Sequence, residues 1–265
     1  MVSPQIWNGS SWVALTDSQC QYWNGSAWVA PSDISYWNGS AWQSLFPNTI
    51  TLRATASNQA DAVNSLGVTI PATVQVGDLL VLLVAQTING ATVFNAISGW
   101  TKQGEQRAGA AAHTLAVFTK IAGPGDAGST VTSTSASTEN YAAHIRAYAG
   151  VNQTTPLDAP VAFAQVDPAA TSGSAPAVTV ATTGAMLVGV YTVPTTANTT
   201  LNASNWTDPT GFSNEVANCT TSINNNAALA SYDKISSSTG SQGPFAATIT
   251  QSRRWALATI AIKPA

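Results

Sequence analysis

One phrase occurs three times before residue 43: Ile6-Trp7-Asn8-Gly9-Ser10-Ser11-Trp12-Val13, then Tyr22-Trp23-Asn24-Gly25-Ser26-Ala27-Trp28-Val29, then Tyr36-Trp37-Asn38-Gly39-Ser40-Ala41-Trp42. A repeat constrains a fold more than any single residue does. Asn-Gly flanked by apolar residues is a strong signal for a β-hairpin, because a type I′ turn needs positive φ at both central positions. A two-residue turn at Asn8-Gly9 pairs Trp7 with Ser10, Ile6 with Ser11 and Gln5 with Trp12. Period-two alternation then sets Trp7 and Trp12 diagonally on one face. A two-stranded ribbon is marginal in water. The Trp faces therefore need something to pack on: one another, the rest of the chain, a second copy or a larger partner. The sequence predicts an arm over residues 1–47 with Trp7, Trp12, Trp23, Trp28, Trp37 and Trp42 as its anchoring or oligomer contacts. The core of a small β-module and a sugar-binding face are the competing readings of the same six tryptophans.

Charged residues make up only 8 % of the chain, against about 25 % in ordinary soluble domains. Asn, Ser, Thr and Gln supply the polarity instead, a balance common in extracellular or particle-bound β-proteins. Through Leu52 there is no Lys or Arg, only Asp17 and Asp33, and the net charge is −3. No basic patch offers itself to phosphates, so nucleic acid is not an expected partner. The longest apolar run, Leu79 to Ala85, is strand-sized, and no membrane insertion is expected. No basic segment followed by an apolar stretch marks a secretory signal peptide. Extracellular character without an export signal suits a component released by lysis, such as part of a virion. Cys20 and Cys219 read as ordinary small residues rather than a disulfide framework or a metal knuckle.

From about Ile50 the text is β-like. Runs rich in Val, Thr, Ile and Ala alternate with Gly, Pro, Asn and Ser. Residues 57–66 and 107–113 could each hold a turn of helix. The body, residues 48–265, is also written twice. Gly77-Asp78-Leu79-Leu80-Val81 matches Gly184-Ala185-Met186-Leu187-Val188. Leu115 to Lys120 matches Leu229 to Lys234, and Tyr141 to Ile145 matches Trp255 to Thr259. Gly99-Trp100-Thr101 is set against Asn205-Trp206-Thr207. The halves span about 50–151 and 176–265, and Thr154 to Pro176 reads as a structured connection. The expected fold is all-β, a single jelly-roll-like β-sandwich with an internal pseudo-repeat, preceded by the Trp-rich hairpin arm; two tandem small sandwiches are the alternative.

The series Ile70-Pro71-Ala72, Val76-Gly77-Asp78-Leu79-Leu80, Ser98-Gly99-Trp100-Thr101, Phe118-Thr119-Lys120-Ile121-Ala122, Ala147-Tyr148-Ala149-Gly150-Val151, Pro156-Leu157-Asp158 and Ala261-Ile262-Lys263-Pro264 resembles β-sandwich domains of bacteriophage virion proteins of the minor tail protein kind. The Trp-Asn-Gly-Ser-x-Trp phrase is similar to segments of tail-fibre and head-fibre proteins of phages infecting actinobacteria. The resemblance implies a non-enzymatic structural protein of the virion. It would be a minor tail, fibre or capsid decoration component, joined to other virion proteins through the arm, with trimeric assembly by analogy and host attachment as a further role. It supplies no catalytic residues. The Asn-rich loop Asn224-Asn225-Asn226 departs from it and leaves any ligand surface undefined. The alternative function is a carbohydrate-binding module for host envelope glycans, with Trp100 and Trp206 as candidate glycan contacts. A cell-wall hydrolase is the third reading.

Other motifs carry less. Gly123-Pro124-Gly125-Asp126-Ala127-Gly128 matches G-x-G-x-x-G, but a strand-like run follows where a dinucleotide site needs a helix, so a Gly-rich turn and no cofactor are expected. Asn8, Asn24, Asn38 and Asn205 formally fit glycosylation acceptors, yet the Asn-Gly pairs are explained as turns. His113 and His144 lie at no metal-ligand spacing. No G-x-S-x-G elbow is present. Asp78, Glu105, Asp126 and Glu139 fall in turns or edges, where solvated carboxylates are the default, with a calcium site near Asp126 the sharper option. Trp255 reads as core, and Arg253-Arg254 as a strand-edge cap.

Overall fold

The computed structural model describes residues 49–87, 94–109, 113–196, 199–222 and 225–265, together with positions 5–7, 10–14, 21–23, 26, 28–29, 35–37 and 42–44. The chain forms two compact units, Met1–Asn48 and Thr49–Ala265. No α-helix occurs among the described residues, and the sheets are antiparallel in a sandwich-like arrangement.

In the first unit, β1 (Gln5–Trp7) pairs with β2 (Trp12–Ala14), β3 (Tyr22–Trp23) with β4 (Trp28–Val29), and β5 (Ser35–Trp37) with β6 (Trp42–Ser44). The register differs from the expected one. Trp7 lies opposite Trp12, Trp23 opposite Trp28 and Trp37 opposite Trp42. Four residues rather than two therefore separate the paired positions, and each tryptophan position stands directly opposite its mate in the ladder instead of diagonally. A four-residue connection is the next common solution after the two-residue turn. The side chains of these six tryptophans, the Asn-Gly pairs and Cys20 lie outside the described residues.

The second unit begins with β7 (Thr51–Thr69), β8 (Leu79–Thr87), β9 (Thr101–Ala108), β10 (His113–Ile121) and β11 (Thr130–Ala149). They form one sheet in the order β7-β11-β8-β10-β9. Then come β12 (Ala162–Ala175), β13 (Val178–Val180), β14 (Met186–Thr195), β15 (Trp206–Thr207), β16 (Ser213–Cys219), β17 (Asn226–Ile235), β18 (Gly240–Gln242) and β19 (Phe245–Ile262). The second sheet runs β12-β19-β14-β17-β16, with β15 added beside β19, and β13 pairs with β18. The two orders are the same path traced twice. The doubling is therefore in the topology as well as in the text.

The registers agree too. Leu79 pairs with Ile121 as Met186 pairs with Ile235. The Gly77 N–H donates to Ala122 O at 2.9 Å, and that of Gly184 to Ser236 O at 3.0 Å. Gly77 and Gly184 hold φ of +92° and +84°, a conformation only glycine adopts without strain. Residues 57–66, weighed as a helical turn, belong to the edge strand β7, where pairing with β11 overrides alanine's helical preference.

Each sheet faces the other across a central core. Leu79, Val81, Leu83, Leu115 and Val117 of the first pack there with Met186, Val188, Val190, Leu229, Ile260 and Ile262 of the second. Each half also closes a core of its own on its outer face. In repeat one this holds Leu66, Val68, Leu80, Leu82, Val84, Phe118 and Val131; in repeat two, Val178, Val180, Leu187, Trp206, Tyr232, Phe245 and Trp255. The long strands make this possible. The β7–β11 ladder shifts register around Glu139, and β12–β19 around Ala170. Such bulges bend the ribbon, so its far end covers the outer face of its own sheet. β8 is consequently buried on both faces, which is why Leu79 to Ala85 shows no polar alternation. The body thus combines the two-sheet sandwich with a separate core in each half.

Candidate functional site

The densest polar chemistry of the body lies inside it, between the repeats. β11 carries His144, Arg146 and Tyr148 on the face that meets β17 and β16, although its run Tyr141 to Ala149 is otherwise apolar. Arg146 is fully buried and ion-pairs with Asp233 of β17, Nη2 to Oδ2 at 2.6 Å. Its Nε donates to the Tyr148 hydroxyl at 2.7 Å, and that hydroxyl donates to Asp233 Oδ2 at 3.0 Å. Nη1 reaches Ser231 O and Oγ, both at 3.1 Å, and Nη2 also reaches Asn214 O at 3.0 Å. Asn214 stands at φ +54°, and its side chain donates to Asp233 Oδ1 at 2.7 Å. The unusual backbone turn lets one residue serve both the cation and the anion.

His144 extends the seam. Its Nδ1 is 3.0 Å from Ser231 Oγ and its Nε2 is 2.9 Å from Asn218 Oδ1. The Asn218 amide donates onward to Asn58 O at 2.8 Å. Burial, reinforced by repulsion from Arg146 and opposed by the Asn218 hydrogen bond, pulls the His144 pKa down to about 3. The ring is neutral, so Nε2 donates to Asn218 while Nδ1 accepts from Ser231. Burial also pushes the Tyr148 hydroxyl well above its usual range, keeping it a donor. On Arg146, desolvation is outweighed by Tyr148 and Asp233, which hold the guanidinium above its ordinary value. A second contact joins His113 Nε2 to Thr192 Oγ1, and Thr192 donates to Ala228 O at 2.6 Å. Burial lowers the His113 pKa to about 3.

Two clefts flank the seam at equivalent places. One, of about 440 Å³, is lined by Met186, Asn214, Asp233 and Lys234 and closed by residues 50–52. Its counterpart, of about 330 Å³, is lined by Leu79, Thr119 and Lys120 and closed by residues 155–157. Each repeat's incoming segment thus covers the other repeat.

The candidate glycan contacts separate. Trp206 is 6 % exposed, its ring edge-on to Trp255 at 5.8 Å, and it offers no open face to a sugar. Trp100 is half-buried against the outer core of repeat one. The two are not equivalent corners, which corrects the alignment drawn from their Trp-Thr pairs. The Trp100 N–H donates to Ile97 O as that of Phe212 donates to Pro209 O, both at 3.0 Å, after Gly99 and Gly211 at φ +75° and +79°. Phe212 is therefore the partner of Trp100. Trp206 pairs with Ile249 where Phe94 bridges Ser135, and Phe94 lies edge-on to Tyr141 at 5.8 Å. A Trp-Thr coincidence had hidden a one-strand offset.

The carboxylates act as local braces, and two depart from the expected solvated turn or edge: Asp78 is buried by its partners and Glu139 lies in β11, between β7 and β8. Asp78 accepts from Arg53 at 2.6 Å and from Gln75 N at 2.8 Å. Asp126 accepts from Lys120 at 2.6 Å and from Gly123 N at 2.7 Å, closing the Gly-rich turn ahead of β11. Glu105 pairs with Lys102 at 2.7 Å, and Glu139 accepts from Thr87 at 3.2 Å. Arg254 pairs with Asp167 of the neighbouring edge strand at 2.8 Å. Cys219 is buried and free, its thiol pKa raised by burial. Among the described residues no three His, Cys, Asp or Glu side chains converge as a metal site would require. Arg146, Tyr148, Asp233 and Ser231 were not singled out by the sequence. The available signal was a charged residue, Arg146 or Asp233, inside a largely apolar and buried stretch of each of two strands. Comparison of the chain with protein-family models, with curated proteins and with solved structures found no match.

Proposed function

We propose that this chain is a non-catalytic structural protein of a phage virion, a rigid double β-sandwich displayed on the particle and attached through its Trp hairpins. The observation that carries the structural reading is where the reactive side chains go. Arg146, Asp233, His144 and His113 are consumed in joining the repeats, and Asp78, Glu105, Asp126 and Glu139 are engaged by neighbouring side chains or backbone. The virion context rests on the resemblance of the body segments and of the Trp-Asn-Gly-Ser-x-Trp phrase. Weak hairpins gain strength when several are presented together, because effective concentration replaces affinity; a trimer is the assembly this reading expects. Tail fibre and capsid decoration are both covered by it, with host-surface contact by the body as a further role.

Immunogold labelling of purified particles with an antibody raised against residues 50–265 tests the proposal. Label at the tail makes the protein a minor tail component, and label over the head makes it a decoration or head fibre. Unlabelled particles, with the antibody shown to bind the native protein, refute virion placement and favour the free glycan-binding alternative. Deleting residues 1–47 is expected to leave a folded body that no longer joins particles. Normal assembly of the truncated protein overturns the anchoring role.

A further inference from the structure

The body is built like a dimer of one domain fused into one chain. β11 packs on β17 while its counterpart β19 packs on β10, and β7 lies beside β16 while β12 lies beside β9. This reciprocal contact is that of an approximate two-fold interface. A true two-fold would present the same side chains twice, and here it does not. The ladder registers give the counterparts of the polar seam. Arg146 pairs with Val81 where Ile260 pairs with Val188, and Tyr148 pairs with Leu79 where Ile262 pairs with Met186. His144 corresponds likewise to Ala258. On the opposite face Asp233 corresponds to Thr119 and Ser231 to Val117. The second contact follows the same rule, with His113 matched by Ala227 and Thr192 by Ala85.

We infer that this asymmetry makes the two inner faces select one another and reject themselves, so that repeat one closes only on repeat two of its own chain. Set repeat one against a second repeat one, and Arg146 meets Thr119, His144 meets Val117 and His113 meets Ala85. Set repeat two against itself, and Asp233 meets Ile260 and Ile262. Either arrangement buries a charge without its partner, which lowers the pairing constant by at least about a hundredfold. The native arrangement satisfies every one of these charges. The fold does not itself require them, since the uncharged Thr119, Ile260 and Ile262 fill the matching places. A buried ion pair is weak evidence for stability, and setting register or partner is its best-attested use. The selection matters wherever copies are crowded, because a duplicated sandwich can otherwise close between neighbouring chains. It holds whether or not the body sits on a virion.

The test uses the full chain with a specific protease site placed in the exposed turn at residues 153–155. After cleavage, the two fragments are unfolded, mixed and refolded, and their stoichiometry is read by native mass spectrometry. Only species that hold the two fragments in equal number are expected, in whatever copy number the hairpin arm sets. The Arg146→Ile/Tyr148→Ile/Asp233→Thr variant, which removes the charged part of the asymmetry and keeps His144, Ser231, His113 and Thr192, is expected to yield a share of like-with-like pairs as well. In the intact chain, Arg146→Ile and Asp233→Thr should each lower the denaturation midpoint, and their combination should recover at least half of the summed loss. Like-with-like pairs in the unmutated protein, exclusive mixed pairs in the triple variant, or an additive loss in the intact chain each overturn the inference. Should the cleaved fragments fail to refold, the intact-chain comparison decides alone.

Discussion

Acid should loosen this body through its two histidines. Both are fully buried in the central core, and both have pKa values lowered to about 3 from an ordinary 6.5. Between those values the unfolded chain holds a proton on each ring and the folded chain does not. Stability therefore rises with pH across this window, is complete above the unfolded value, and is lost as pH falls through it. At pH 5 the linkage relation gives a loss of about 2 kcal/mol per histidine relative to pH 7.5, or about 4 kcal/mol for the pair. Whole domains commonly hold only about 5–15 kcal/mol. Asp126 acts in the same direction but lower down. Its pKa is depressed despite desolvation, by the Lys120 and Gly123 hydrogen bonds, so its contribution fades only below the ordinary Asp range. Urea denaturation at pH 7.5 and pH 5, at fixed ionic strength, measures the difference. The control is His113→Ala/His144→Ala, the residues that repeat two carries at these places. It should be less stable at pH 7.5 yet nearly flat between the two pH values. A change under about 1 kcal/mol in the native protein refutes the reasoning, and so does an unaltered pH slope in the double variant.

Gly173→Ala would set a Cβ 2.4 Å from the Trp255 ring, and that ring is pinned by its bond to Ala170 O; a loss of about 3 kcal/mol is expected by calorimetry. Trp206→Ala should cost about 3–5 kcal/mol by chemical denaturation and Trp100→Ala about 1 kcal/mol, and equal losses would contradict the placement of Trp206 in the core. Asp126→Ala should cost about 1 kcal/mol and speed proteolysis within residues 123–129; an unchanged cleavage rate would show that the carboxylate does not hold the turn. Gln86 is fully buried, and its amide finds no hydrogen-bond partner among the described residues. Gln86→Leu should therefore raise stability by about 1 kcal/mol, and a lower melting temperature would mean that the amide is engaged.

The β class and the doubling were legible because both rest on local text: strand-sized runs, turn residues and strings such as Leu115 to Lys120 against Leu229 to Lys234. The errors arose where the deciding contact is distant. Trp100 was matched to Trp206 by a shared dipeptide, while the true correspondence is set by turns after Gly99 and Gly211 and by ladders to β10 and β17. The hairpin register failed for a different reason. Asn-Gly names a tight turn but does not fix how many neighbours join it. The seam was invisible because Arg146 and Asp233 are 87 residues apart, and a charge in a buried strand carries no local mark of its partner. The two outer cores escaped because a bulge in a long strand has no strict sequence signature.

A duplicated chain separates what a fold needs from what one copy adds. Positions that agree across the repeats are turn glycines, Gly77 and Gly184 or Gly99 and Gly211, and strand positions such as Leu80 and Leu187, Val81 and Val188, Leu115 and Leu229, and Lys120 and Lys234. Even there the surroundings diverge. Lys120 is held by Asp126, while the Lys234 ammonium lies 5.1 Å from the Phe212 ring centroid and 4.5 Å from that of Phe245. A long side chain at this position packs over the outer core whatever receives its charge. Buried positions that disagree follow a different logic. Arg146 against Ile260 and Asp233 against Thr119 place charge where an uncharged residue serves the same architecture. Stability alone does not favour that exchange, because the cost of desolvating two ions offsets most of their attraction. Charges kept under those terms act through what they forbid, and in this body they forbid a repeat from closing on its own likeness.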